Sequence, residues 1–449
     1  MMRKVTYFYL RYAALMAFLI LYGCKAKASG QLTGDTEENV AGEIQTELNN
    51  LTDVWYPRVI DNDHGGFLSR FAYDWQPEDP QDKMIVTQSR HLWTLSKLGE
   101  HEPENQSYKE YTAHGFEFLK NQMWDDQYGG FYQLVNREGE PIPNNGELID
   151  KTLYGNAFAL YGLAAYYHYT QNPAALVLAK QTFNWLETHS HDPVYGGYFQ
   201  PLGRDGTPDK TGTSKDYNSG IHILEALTEL YTVWKDDLVR ERLEEMFYIV
   251  RDTMVTDKGY LNLYFEADWT HLSYQDSSKA VIMENIGDDH VTPGHDIETA
   301  YLLLEAAHVL GMEEDQETHR IAKKLTDHTL ETGWDDEAGG FYDIGYYFPG
   351  DQELTIVEDT KNWWAQAEGL NTLLIMSDLY PNDPHNYFEK FLRQWEYIQN
   401  NLIDPEHGGW YDSGLDKQPD SKTGLKAQIW KGNYHTIRSL LNCFNRLSE

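Results

Sequence analysis

The sequence predicts an all-α fold, an (α/α)6 barrel of about twelve helices with short β-hairpins at one rim. Three observations predict it. The first is a recurring turn: 61-DNDHGGFL-68, 125-DDQYGGFY-132, 192-DPVYGGYF-199, 335-DDEAGGFY-342 and 404-DPEHGGWYDSG-414, with a weaker copy at 256-TDKGYLNLYF-265. The first glycines lie at 65, 129, 196, 259, 339 and 408, so the gaps are 64, 67, 63, 80 and 69 residues. The second is helical patterning between the turns. Apolar residues recur at three- and four-residue steps in 109-KEYTAHGFEFLKNQM-123, 151-KTLYGNAFALYGLAAYYHY-169, 220-GIHILEALTELYTVW-234, 296-DIETAYLLLEAAHVL-310 and 363-WWAQAEGLNTLLIMSDLY-380. The third is that two kinds of helix alternate. One has a charged face, as in 237-DLVRERLEEMFYIVRDTM-254; the other is apolar nearly all round, as in 157-AFALYGLAAYY-167, and a helix of that kind is buried. Two alternating sets describe an inner and an outer ring. Six pairs in a chain of this size favour closure over an open solenoid.

The elements follow in order. Arg3, Lys4 and Arg11 precede the apolar run 12-YAALMAFLILYG-23, which is short for a membrane span and fits a secretory signal. It ends at 21-LYGC-24, which resembles the lipobox of bacterial lipoproteins, with Tyr22 bulky for its place. Cys24 is therefore expected to carry lipid, in an exported, periplasmic or membrane-anchored protein. Residues 1–24 are read as leader, 25–37 as flexible linker and 38–449 as one catalytic barrel domain. In each repeat the glycines let the chain leave the outer helix and reverse, because glycine tolerates positive φ. The aspartate bonds N–H groups of the turn. The aromatics begin an extended hairpin such as 131-FYQLVNREGEPI-142. Cys443 sits in an apolar helical stretch and reads as a small core residue.

The formal charge of −35 argues against a nucleic-acid partner. The 13 Trp and 32 Tyr exceed what a core of this size requires, and spare aromatics in clefts stack on sugars. One unusual side chain stands near the start of each inner helix: Arg90, Tyr154, His222, His295, Trp364 and His435, at spacings of 64, 68, 73, 69 and 71 residues. One such residue per repeat, at equivalent depth, would ring a single pocket at one mouth of the barrel. Histidine titrates near neutrality and serves as acid or base. Two histidines on opposite sides of one carbon would invert it next to a carbonyl, and an arginine would stabilise the enediolate. A reducing sugar brings its own carbonyl, so no cofactor is called for. His222 with Glu225, and His295 with Glu298, form H-x-x-E pairs on one helix face. These pairs read as carboxylates that orient imidazoles or bind hydroxyls, with metal ligation the competing reading. A glycoside hydrolase needs two flanking carboxyl groups, for instance Asp125 and Glu298. A sugar-binding lipoprotein without catalysis, and an aldose–ketose isomerase using the same enediolate, stay open beside it.

The segments 89-SRHLW-93, 218-NSGIHILEALTELY-231, 294-GHDIETAYLLLEAA-307, 361-KNWWAQAEGL-370 and 426-KAQIWKGNYHTIRSL-440 are similar to the N-acylglucosamine 2-epimerase superfamily, and most to its cellobiose 2-epimerase branch, which includes mannobiose 2-epimerases. The similarity spans roughly residues 38–446. The resemblance implies an (α/α)6 barrel, an isomerase of disaccharides, and no cofactor or metal. It implies His295 and His435 as the acid/base pair at C2, His222 as a third active-site histidine and Arg90 beside the enediolate. Tyr154, Asn218, Glu298, Trp363, Trp364 and Arg438 would bind substrate. Gly220 departs from the pattern, standing where the branch carries a histidine, which puts in question a contact to the second sugar or the start of that helix.

Overall fold

A helix that is apolar on every side must be covered on every side, and the chain achieves this by closing a row of helices on itself. The computed structural model describes residues 34–143 and 151–448. The leader 1–24, with Cys24, and most of the expected linker lie outside the described residues. In chain order the helices are α1 (Gly34–Trp55), α2 (Ile85–His101), α3 (Gln106–Phe118), α4 (Leu153–Thr170), α5 (Pro173–His189), α6 (Tyr217–Val233) and α7 (Asp237–Ile249). They continue with α8 (Lys279–Glu284), α9 (Pro293–Leu310), α10 (Gln316–Thr332), α11 (Trp363–Leu379), α12 (Tyr387–Asn401) and α13 (Tyr434–Ser448). Because α1 begins at Gly34, the last residues of the expected linker are helix.

Helices α2, α4, α6, α9, α11 and α13 form the inner ring, and α13 returns to α2. The ring is therefore closed, not an open solenoid. Helices α3, α5, α7, α10 and α12 each cover the inner helix before them, and α1 covers α13, so the first helix completes the last pair. The division follows composition. In α4 every residue from Leu153 to Tyr166 is buried. In α12 only a stripe is buried, through Tyr387, Phe391, Gln394, Trp395 and Ile398. Large apolar side chains of such a stripe contribute ~1.5–3 kcal/mol each on burial, which holds the outer helix on the ring. Short α8 lies outside the pairs, in the long fourth repeat.

The rim carries the glycine turns, and the third repeat shows their construction. Gly196 and Gly197 have φ of 72° and 71°, and a Cβ at Gly197 would stand 2.5 Å from Trp269. Both reasons demand glycine. Asp192 Oδ1 accepts from Val194 N at 3.0 Å, as the sequence predicts for the turn aspartate. The sequence reading missed its second partner. Lys215, two residues before α6, buries its ammonium against Asp192 Oδ2 at 2.8 Å, Gly196 O at 2.8 Å and Ala267 O at 2.7 Å. The same pair recurs as Lys83–Asp61, Lys151–Asp125, Lys361–Asp335 and Lys426–Asp404. Short antiparallel pairs clip the entry of an inner helix to the chain leaving its outer partner, for example Lys215–Asp216 with Tyr264–Phe265. In the fourth repeat Thr256 and Val291 replace aspartate and lysine, and an antiparallel bridge from Val291 to Gly345 pins the entry to α9 instead.

Candidate active site

The inner helices begin at one mouth, and their first turns bring the singled-out residues together. Thr152, Asp216 and Asn362 cap α4, α6 and α11 by accepting from Gly155, Ser219 and Ala365 N–H groups. These caps fix the helix starts that carry the site. The Trp364 ring lies 4.4 Å from His295 and 5.7 Å from His435, centroid to centroid. The Tyr154 ring lies 5.4 Å from His222, and its hydroxyl accepts from Arg90 Nη2 at 3.2 Å. Asn218 also hydrogen-bonds Tyr154. The six residues therefore line one pocket, but not at equal depth. Tyr154, His295, Trp364 and His435 stand at the first turn of their helices, whereas Arg90 and His222 stand a turn deeper. Side chains on a helix lean toward its N-terminus, which carries those two back toward the mouth.

Two arginines divide the charge of the site. Arg438 is fully buried and holds three glutamates: Glu225, Glu298 at 2.5 Å and Glu368 at 2.7 Å. Arg90 is 5% exposed, forms no ion pair among the described residues and leaves its Nε without a partner. Its guanidinium lies over the rings of Phe158 and Tyr434, 4.3 and 5.0 Å from their centroids. Arg438 is thus neutralised, and Arg90 is a desolvated cation with hydrogen-bonding capacity to spare.

Burial holds the His295 imidazole well below its usual range, with His222, His290 and Arg90 adding to the effect. Its Nδ1 lies 3.1 Å from Thr292 Oγ1, at the positive end of α9. Burial does the same to His435, reinforced by Arg90 and Arg438. Both rings are neutral near neutral pH, the form a general base requires. His222 Nδ1 lies 2.8 Å from Glu225 Oε2 and His435 Nδ1 lies 2.7 Å from Glu368 Oε1.

Several expectations are corrected. Glu298 does not orient His295, although three residues separate them; it is fully buried, bonds Arg438 and lies 3.9 Å from His435 Nδ1. Arg438, expected to bind substrate, has no exposed surface because three carboxylates draw its guanidinium inward. Both support the pocket from beneath. Gly220 faces the outer helices, where an added Cβ would meet Met254 at 2.4 Å, so position 220 offers no contact to a sugar. Trp363 is buried, with Lys431 Nζ 5.1 Å above its ring. Glu368, which orients His435, was missed because it lies 67 residues away in sequence. Trp430, also missed, is half exposed and lies 6.4 Å from Tyr154 at the mouth.

Among the described residues two clusters have donor sets suited to a cation: Glu298, Glu368 and His435, and Asp327, Asp383 and His385. Each already receives a side-chain cation. Arg438 Nη2 contacts both glutamates, and Lys323 Nζ contacts both aspartates at 2.5 and 2.9 Å. The hydrolase candidates are likewise engaged, Asp125 by Lys151 and Arg204 and Glu298 by Arg438.

A closed helical barrel with neutral histidines and a free arginine at one mouth describes an acid–base enzyme. The N-acylglucosamine 2-epimerase (GlcNAc 2-epimerase) family profile matches residues 65–439. A cellobiose 2-epimerase of Bacteroides fragilis is 30% identical over 444 residues, covering 92% of this chain and all of the relative. The cellobiose 2-epimerase structure from Spirochaeta thermophila superposes with a TM-score of 0.78 at 27% identity, covering 92% of this chain and 98% of its own. That from Bacillus thermoamylovorans gives 0.79 at 24% identity, over 91% and 100%. The chain belongs to the N-acylglucosamine 2-epimerase family, in its cellobiose 2-epimerase branch, and is a sugar epimerase.

Proposed function

We propose that the protein inverts C2 of the reducing-end glucose or mannose of a β-1,4-linked disaccharide, cellobiose or mannobiose, through a cis-enediolate. The observation that carries this reading is Arg90: a buried guanidinium with no carboxylate partner among the described residues, beside two neutral histidines. Once the sugar ring opens, C2 is acidified by the C1 aldehyde. One histidine takes the C2 proton, the electron pair moves into the enediolate, and Arg90 meets the charge on oxygen. The inner-helix N-termini around the mouth favour the same charge. The other histidine delivers a proton to the opposite face of C2. His222, held by Glu225, handles the proton that moves between O1 and O5 on ring opening. Trp364 covers an apolar sugar face, and half-exposed Trp430 offers a platform for a second ring, which supports a disaccharide. No step draws on a cofactor. The basic and apolar leader supports export, with Cys24 as a lipid attachment point, so substrate would be met outside the cytoplasm.

The test is NMR of the purified protein with cellobiose or mannobiose in D2O. Deuterium at C2 together with the C2 epimer is expected. Free monosaccharide would move the case to hydrolysis, and a ketose to aldose–ketose isomerisation. Unlabelled disaccharide after long incubation would overturn the reading.

A further inference from the structure

We propose that Glu368 is the proton-accepting and positioning partner of His435, so that the pair passes between its acid and base forms without a buried imidazolium. The inference rests on the reading of His435 as an acid/base. In the base form, Nδ1–H of His435 donates to the Glu368 carboxylate and the Nε2 lone pair faces the substrate. When the C2–H bond breaks, its electron pair stays on the substrate as enediolate and the proton joins Nε2. The Nδ1–H bond breaks in turn and that proton joins Glu368 Oε1. The imidazole ends neutral with Nε2–H, which is its acid form, and Glu368 ends as a carboxylic acid. Protonation of C2 from Nε2–H reverses every step.

The two histidine–glutamate contacts are alike in length and opposite in character. Burial alone would raise Glu225, but Arg438, His222 and Tyr434 outweigh it and hold the carboxyl at about 2. It stays ionised and only orients His222. Burial pushes Glu368 up to about 8, opposed by Arg438 and reinforced by the charges of Glu298 and Glu225. The geometry gives the reason. Glu298 and Glu368 both converge on one nitrogen of Arg438, and Glu225 takes the other. Three carboxylates on one guanidinium leave excess negative charge in a water-excluded cluster, and such groups share protons. Both Glu298 and Glu368 keep an Oε2 that is buried without a partner. The groups facing Glu368 are Arg438, His435 and Cys443 on α13, Glu298 and Tyr301 on α9, and Glu225 on α6. Arg90 on α2, with His222 and His295, faces the imidazole and disfavours its cationic form. A catalytic-triad aspartate stays ionised behind its histidine; here the like-charged neighbours make the carboxyl basic enough to take the proton.

The test combines a pH profile with spectroscopy on wild type, E368Q, E368D and H435A. The wild type is expected to show the C=O stretch of a protonated carboxyl at neutral pH, shifted by 13C-labelled glutamate and lost in E368Q. Its rate profile is expected to carry a limb near the value of Glu368. In E368Q, kcat falls ~100-fold or more with KM little altered and the limb gone, while E368D keeps the limb. A purely structural role would lower kcat and leave the limb in place, and that result overturns the proposal. Near-normal E368Q beside inactive H435A also overturns it and leaves the functional reading standing. An active H435A overturns both.

Discussion

Lys215→Met tests what holds the barrel rim. Methionine fills the same buried volume and removes the charge. Lys215 Nζ donates to Asp192 Oδ2, Gly196 O and Ala267 O at 2.7–2.8 Å. Its loss strips the counter-charge from a carboxylate that is 3% exposed and leaves two carbonyls without that donor. Breaking a buried pair from one side costs ~3–5 kcal/mol, most of it from the charge left behind. An unfolding entropy of about 2.1 cal/mol/K per residue over 449 residues turns this into a Tm loss of roughly 3–5 °C. The fourth repeat shows a neutral alternative, Thr256 and Val291. Asp192→Thr with Lys215→Val imports it, removes the stranded charge and is expected to cost ~1–2 kcal/mol. Urea and thermal unfolding of the wild type, D192T, K215V, K215M and the double variant D192T/K215V give the cycle. A K215M cost under ~1 kcal/mol, or a double variant as unstable as the summed single variants, would refute the reasoning.

H295A and H435A are each expected to lower kcat by ~100-fold or more with unchanged circular dichroism; near-normal turnover in either sinks the two-base scheme. EDTA is expected to leave activity unaltered, because guanidinium and ammonium groups fill both candidate cation positions; loss on chelation, restored by a divalent ion, would refute this. Stability is expected to fall on acidification below about pH 4. Burial would raise Asp61, Asp125 and Asp335, but lysine and arginine partners and turn N–H groups hold them well below 3.8. Depressed carboxyls contribute stability that is complete above the unfolded value and lost as pH falls through the folded one. The buried lysines are themselves pulled down from 10.5 by burial, but they stay charged in acid, so the aspartates set the acid limb. Tm measured against pH in wild type and D192T/K215V checks this: the variant should have the shallower limb, and identical limbs would contradict it.

The barrel was legible in the sequence because its determinants are periodic. Glycine turns at near-constant spacing and alternating amphipathic and apolar helices report local geometry, and closure follows from their number. His222 and His295 stood out as polar side chains early in largely apolar inner helices, and Arg90 because it falls on the same repeat period. Partnerships were much less so. Three-residue spacing on a helix correctly joined His222 to Glu225, yet wrongly joined His295 to Glu298. Both pairs satisfy the same rule and Arg438 contacts both glutamates, but Glu225 keeps its Oε2 for His222, whereas His295 Nδ1 meets Thr292 Oγ1 instead of Glu298. Distance in sequence also hid Glu368, 67 residues from His435. Depth along the pocket was misread for Arg90 and His222, because equal spacing along the chain does not fix where each helix starts. The rim lysines left a signal that went unread, a lysine 22 to 26 residues after each turn aspartate.

The rim pairs and the catalytic mouth are connected. In the first, second, third and fifth pairs of inner and outer helices, the lysine that closes the turn stands two residues before the inner helix, at 83, 151, 215 and 361. One buried ammonium therefore ties the end of an outer helix to the start of the next inner helix in the chain. That tie fixes where the first turn of the inner helix points, whatever side chain it carries. The residues there are then free to differ, and they do: Tyr154, Asn218 and Trp364 follow three of these lysines. The fourth repeat breaks the pattern at the helix that carries His295. There the entry is set by the bridge from Val291 to Gly345, by Pro293 in the first turn of α9, and by Thr292, whose hydroxyl reaches the imidazole itself. A lysine at 291 would add a positive charge four residues before a histidine that burial and positive neighbours already hold well below its usual range. The loss of the ion pair at this one position is consistent with the acid/base role proposed for His295.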